Sequence, residues 1–213
     1  MKIDHIAPGD IEKRSFEIIG EELEKMGIMI PEDKAFLIKR AIHTTADFDY
    51  AKSLYFSEGA IKKAAKLIRD GAVIVTDTNM AKSGINASEL SKYGGEVICF
   101  MADAEVASEA KKRGITRAAV SMEKASKIPG KVIFAIGNAP TALLSIKEMM
   151  DGAGFRPDFV IGVPVGFVNV EYAKELIIES GCDCIVNRGR KGGSNVAAAI
   201  VNAIMYEMKK GNL

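Results

Sequence analysis

His43 stands in the string Ile38-Lys39-Arg40-Ala41-Ile42-His43-Thr44-Thr45-Ala46-Asp47-Phe48, where a helical apolar pattern runs out. Imidazole has an ordinary proton affinity near neutral pH, so a histidine flanked by Arg40, two hydroxyls and Asp47 is a candidate general acid/base. The same residue also reads as a cationic histidine at a helix C-terminus, favoured there by the dipole. The other histidine, His5, reads as a surface or subunit-contact residue. A second chemical segment is Arg188-Gly189-Arg190-Lys191-Gly192-Gly193-Ser194. Its glycines let backbone N–H groups turn toward an anion, Ser194 suits the cap of a following helix, and that helix's N-terminus adds positive potential beside three cations. A carboxylate or phosphate fits there; a solvated basic loop is the plainer alternative.

Two further segments need a frame to hold them. Gly137-Asn138-Ala139-Pro140 reads as a strand-to-helix turn, with Asn138 capping and Pro140 in the first helical turn, or as part of a site. Pro164-Val165-Gly166-Phe167 either finishes a core or offers an apolar surface to a flat ligand. The chain has 213 residues, 48% of them hydrophobic, enough for one sizeable core, and its elements alternate without a linker, so one domain is expected.

The first part of the chain reads as helix. Asp10 suits the N-cap of a helix over residues 11–26, where Phe16, Ile19, Leu23 and Met26 recur at helical spacing before Gly27. Pro31 opens a second helix with Ala35, Ile38, Ala41 and Ile42 inward and His43 at its end. A third spans residues 58–70. Five apolar runs follow, at 72–76, 96–100, 131–136, 158–163 and 184–187. Helical stretches at 104–113, 117–126, 141–150, 171–180 and 195–209 alternate with most of them. Strands apolar on both faces and separated by helices imply an α/β fold: a three-layer, doubly wound, mainly parallel five-stranded sheet with an N-terminal helical segment. Ligands of such sheets bind beyond the carboxyl ends of the strands. The residues there include Asp77-Thr78-Asn79, Met101-Ala102-Asp103 and the three segments already named.

Composition and missing motifs narrow the chemistry. Lys and Arg total 29 against 28 Asp and Glu, so no global field draws the chain onto nucleic acid or an anionic membrane, and any anionic ligand must be held locally. There is no apolar run of membrane-spanning length and no signal-peptide pattern, so a soluble, cytoplasmic protein is expected. Cys99, Cys182 and Cys184 read as reduced core thiols, and Cys182-x-Cys184 lacks the second ligand pair of a metal site. The lysine of the basic loop precedes its paired glycines, unlike a phosphate-binding loop, and no G-x-G-x-x-G follows the first strand. With no G-x-S-x-G elbow either, acid/base chemistry remains.

Several strings together closely resemble the precorrin-8X methylmutase (cobalt-precorrin-8 methylmutase, precorrin isomerase) family. They are Glu12-Lys13-Arg14-Ser15-Phe16-Glu17-Ile18-Ile19, the helix ending in His43, Ala135-Ile136-Gly137-Asn138-Ala139-Pro140-Thr141-Ala142-Leu143, Gly162-Val163-Pro164-Val165-Gly166-Phe167-Val168, and the basic loop 188–194. The resemblance runs in order over nearly the whole chain. It implies a single precorrin isomerase domain over residues 1–213 that moves the methyl group on C11 of a corrin precursor to C12, giving hydrogenobyrinate or cobyrinate. It places the catalytic histidine on His43, a substrate-contacting serine on Ser15, and an arginine reaching substrate across a homodimer interface on Arg117. Residues 44–47 depart from other members, which leaves the roles of His43's neighbours open.

The residue chemistry is compatible with that implication. A proton placed on the conjugated ring eases methyl migration and can return to the same base, so no cofactor and no protein-bound metal is expected. A flat anionic macrocycle needs an apolar floor, for which Asn138, Ala139, Pro140, Val165, Gly166 and Phe167 are candidates. It also needs cationic edges, for which Arg14, Arg40, Arg117, Arg188, Arg190 and Lys191 are candidates, with the N–H groups of Gly192, Gly193 and Ser194. The alternative from another class is a non-catalytic tetrapyrrole carrier, which would tolerate loss of His43.

Overall fold

The structure is a computed structural model that describes residues 7–152 and 154–213; His5 lies outside the described residues. A 3-10 turn, Pro8–Asp10, leads into α1 (Ile11–Lys25), which buries Ile19 and Leu23. Asp10 does not cap α1 through its side chain, because the preceding turn already holds its backbone near helical angles (φ −103°, ψ −6°). After Pro31, a second 3-10 turn, Glu32–Lys34, precedes α2 (Ala35–Thr45), whose buried stripe is Leu37, Ile38, Ala41 and Ile42. The helix continues two residues past His43 and stops at Ala46, which is left-handed (φ 55°) and returns its N–H to the Ile42 carbonyl at 2.7 Å.

The rest of the chain alternates as expected, with short additions. In order come α3 (Tyr50–Ser53), β1 (Leu54–Phe56), α4 (Ala60–Arg69), β2 (Val73–Thr76), α5 (Asn79–Gly84), α6 (Ala87–Ser91), β3 (Glu96–Ile98), α7 (Ala104–Arg113) and α8 (Arg117–Ala125). They are followed by β4 (Val132–Ile136), α9 (Pro140–Gly152), β5 (Phe159–Gly162), α10 (Val170–Glu179), β6 (Cys184–Asn187) and α11 (Ser194–Lys209). Among the described residues the sheet has six strands, not five, in the order β1-β6-β5-β4-β2-β3. All neighbours pair in parallel except β1, which runs antiparallel to β6 with Leu54 opposite Asn187 and Phe56 opposite Ile185. The extra strand escaped notice because three residues are too few to show a period of two.

Alternate side chains of the strands feed two cores. Ile74, Ile133, Ala135, Phe159, Ile161 and Ile185 pack toward α2, α4 and α11, with α1 laid over α2. Val75, Val132, Phe134, Ile136, Val160, Cys184 and Val186 face α8, α9 and α10. The layers are therefore helix, sheet and helix, and the strand order reverses between β2 and β4, the point where a doubly wound sheet opens a crevice. All three cysteines are free; Cys99 and Cys184 are buried, and Cys182 falls just before β6.

Candidate active site

His43 lies on the exposed side of the last turn of α2, and the Phe16 ring of α1 stands edge-on to it, centroids 5.5 Å apart. Together with Ser15, Ile18, Ile19, Glu22, Ile42, Ala46 and Phe48 it lines a groove of about 270 Å³. The fold thus brings Ser15 and His43, 28 positions apart in sequence, into one mainly apolar groove. The Ser15 hydroxyl donates to the Ile11 carbonyl at 2.9 Å, which leaves its oxygen free to accept. Nearby Tyr50 is no rival acid/base at neutral pH, since burial, reinforced by Asp47, pushes its phenol up to about 12.

One turn before His43, the Arg40 guanidinium lies 4.8 Å from the centre of the Phe16 ring and 5.8 Å from that of Tyr206, and is paired with Glu12. Its Nε is buried without a partner. Arg40 opens on a second groove of about 400 Å³ with Gly9, Glu12, Lys13, Phe16, Glu17, Lys39 and Lys210. Arg14 stands apart from both grooves, bonded to Glu17 at 3.3 Å and Glu21 at 3.1 Å.

The basic loop after β6 reaches the same edge of the sheet. Lys191 bonds Asp47 at 2.6 Å and Asp49 at 2.5 Å, the segment that immediately follows the histidine helix. That contact lowers the Asp47 carboxyl and raises the Lys191 ammonium. Arg188 pairs with Glu175 at 3.0 Å and Arg190 with Glu171 at 3.1 Å. Behind the loop, fully buried Lys174 donates to the carbonyls of Gly189 at 2.7 Å and Lys191 at 2.8 Å. The loop departs from the sequence expectation at Gly193 and Ser194. The Gly193 N–H is spent on the Val163 carbonyl at 2.9 Å rather than offered to an anion. Ser194 does not cap α11; it is the first helical residue, and its hydroxyl meets that of Thr78 at 2.7 Å. The loop is packed so closely that a Cβ on Gly192 would lie 2.1 Å from the Val163 carbonyl oxygen.

At the crevice between β2 and β4, buried Asp77 accepts N–H bonds from Gly137 at 2.9 Å, Asn138 at 2.8 Å and Ala139 at 2.6 Å. Burial pushes its carboxyl up, and the three N–H groups pull the other way. A Cβ on Gly137 would meet the Ser194 Cα at 2.6 Å, so this turn and the start of α11 are in direct backbone contact. Between the two turns, Val165 donates to the Gly137 carbonyl at 3.3 Å and Gly166 to the Arg190 carbonyl at 3.1 Å. Val165 is 45% exposed and Phe167 81%, with the Arg190 guanidinium 5.8 Å from the Phe167 ring centre. The three rim segments therefore form one continuous edge.

Residues 10–207 match the family described as precorrin-8X methylmutase. The chain belongs to the precorrin-8X methylmutase family. It is 42% identical over 209 residues to the cobalt-precorrin-8 methylmutase of Salmonella typhimurium, covering 95% of this chain and 97% of that protein. It is 41% identical over 199 residues to that of Priestia megaterium, covering 93% and 88%. A crystal structure of precorrin-8X methyl mutase from Thermus thermophilus superposes with a TM-score of 0.85 at 35% identity, covering 96% of this chain and all of that one. Methylmutases of this family are isomerases of cobalamin biosynthesis.

In this methylmutase Arg117 begins α8 and is exposed. Thr116 beside it bonds Thr141 of α9 at 2.9 Å, which places Arg117 at the same sheet edge as the rim, though not among the residues lining the His43 groove. Among the described residues no helix is long and apolar enough to cross a membrane, and no three His, Cys, Asp or Glu side chains are grouped to hold a metal. Sequence reasoning missed Lys174. Its signal was present: Val170, Ala173, Lys174 and Ile177 share one inward helical stripe, and a lysine in such a stripe needs a buried partner.

Proposed function

We propose that this methylmutase moves the methyl group on C11 of precorrin-8X or cobalt-precorrin-8 to C12, giving hydrogenobyrinate or cobyrinate, with His43 as the acid/base. The observation that carries this reading is the shared groove of His43 and Ser15, tied to the basic loop through Lys191 and Asp47. His43 delivers a proton to the conjugated ring and draws electron density from C11. The bond from C11 to the methyl carbon breaks as the bond from C12 forms, and the proton returns to His43. No electrons and no external methyl group are exchanged, and general acid/base help of this kind is worth about 10²–10⁴-fold. Any cobalt enters inside the substrate.

Phe167, Val165 and the turn at Asn138, Ala139 and Pro140 serve as the apolar floor, while Arg40, Arg117, Arg188, Arg190 and Lys191 meet the acetate and propionate carboxylates. Residues 1–213 act as one domain, in the cytoplasm, as a homodimer in which Arg117 reaches the partner's site. The exposure of Arg117 and of Ile11 at the start of α1 supports that assembly.

The test is His43→Ala, incubated with metal-free and cobalt-loaded precorrin-8 while the visible spectrum is followed. The variant binds the macrocycle and loses at least about 100-fold in single-turnover rate. A near wild-type rate would assign the chemistry elsewhere, and a wild-type protein that binds without converting would be a carrier. Arg117 in trans fails if light scattering finds a fully active monomer.

A further inference from the structure

Arg188 and Arg190 occupy matching positions. Each guanidinium is ion-paired with a glutamate of α10, Glu175 for Arg188 and Glu171 for Arg190. Each also lies over an aromatic ring, Tyr55 at 5.4 Å and Phe167 at 5.8 Å. Both ion pairs are solvent-exposed, so each is weak and exchanges partners readily. The backbone that bears them is held differently. Lys174, one residue before Glu175 and three after Glu171, is fully buried and bonds two loop carbonyls, and Asn187 Nδ2 adds a third bond, to the Lys191 carbonyl at 2.8 Å. One helix thus offers the loop a fixed internal anchor and two exchangeable external carboxylates.

We propose that Glu171 and Glu175 are stand-ins for two substrate carboxylates, holding Arg190 and Arg188 oriented until the macrocycle replaces them, while Lys174 is the positioning residue that keeps the loop backbone still during the exchange. This rests on the reading of the loop as a carboxylate-binding edge. The exchange swaps one carboxylate for another on each guanidinium, so the pairing changes without any loop rearrangement. The rings offer each guanidinium a cation–π contact that does not depend on which carboxylate it pairs with. The cost is competition, since an intramolecular carboxylate always contends with the ligand.

The sign of one measurement decides it. Glu171→Gln and Glu175→Gln should each tighten hydrogenobyrinate binding, by up to about fivefold, because an exposed competing pair is removed. Arg190→Ala should weaken the same binding by about tenfold and flatten its dependence on salt. Lys174→Met should raise KM about tenfold and leave kcat at saturation within about twofold of wild type, and Lys174→Gln, which keeps two N–H donors, should recover most of the loss. If Arg190→Ala has no effect, the carboxylate-edge reading fails. If Arg190→Ala weakens binding but the glutamine variants weaken it or leave it unchanged, that reading stands and the exchange is refuted. Should both Lys174 variants fail to fold, or lose kcat with KM unchanged, Lys174 is a core residue and not a positioning one.

Discussion

The turn after β4 and the loop after β6 touch each other yet are built on buried ions of opposite sign. The first wraps three N–H groups around the Asp77 carboxylate. The second turns two carbonyls onto the Lys174 ammonium. A buried anion consumes the donors that would bind an anionic ligand, whereas a buried cation consumes acceptors and leaves cationic side chains on the outside. At the crevice where a doubly wound sheet ordinarily takes its ligand, these three N–H donors are already occupied, whereas two strands along the guanidiniums of Arg188 and Arg190 stay on the surface and Lys191 meets the segment after the histidine helix.

The contrast is broken most severely at Asp77. Asp77→Ala strands three N–H donors at a buried turn and should cost about 3–5 kcal/mol in urea unfolding. A loss below about 1 kcal/mol would show that the turn does not depend on the ion. Next comes Gly192→Ala, whose Cβ has no room against the Val163 backbone. It should cost about 3 kcal/mol, and a crystal structure of the variant should show the loop displaced from β5.

The smallest effect sharpens the comparison through pH. Burial holds the Lys174 ammonium down to about 8, while an unfolded lysine titrates near 10.4. Between those values the unfolded chain binds more protons, so this group's contribution to stability is lost as pH falls toward 8 and recovered as pH rises to about 10.4. Asp77 runs the other way, its raised carboxyl contributing stability at low pH that is lost as pH rises through its folded value. The difference in unfolding free energy between wild type and Lys174→Met should therefore shift in favour of wild type across pH 8–10, by on the order of 1–3 kcal/mol. A flat difference would mean that the two carbonyls accept from an amine with an ordinary proton affinity.

Much of this was legible in the residues, and the losses have physical causes. Long periodic helices and the five apolar runs were visible because burial repeats along them; Leu54, Tyr55 and Phe56 were not, because an edge strand of three residues carries no period. His43 and Ser15 were singled out by type and resemblance, but that they share a groove depends on how α1 lies over α2. Asp77 drew notice as a residue beyond a strand, while its partners 60 to 62 positions later could not be read from one string. Ser194 was expected to cap a helix because serine commonly does; in the fold Gly193 takes that position and Thr78 takes the hydroxyl.

The antiparallel direction of β1 has a consequence for the order of folding. Because β1 enters the sheet backwards, the helix that precedes it emerges at the edge where β6 ends, and the Arg188 N–H can meet the Ser53 carbonyl at 2.8 Å. Lys191 and Asp49, joined there, are 142 residues apart. Contacts across so long a loop close late, after the local βα units have formed. The contact between Lys191 and the segment after His43 is therefore expected to form only when the last strand docks on β5 and β1. Loosening that strand would disconnect the two while most of the sheet still stood.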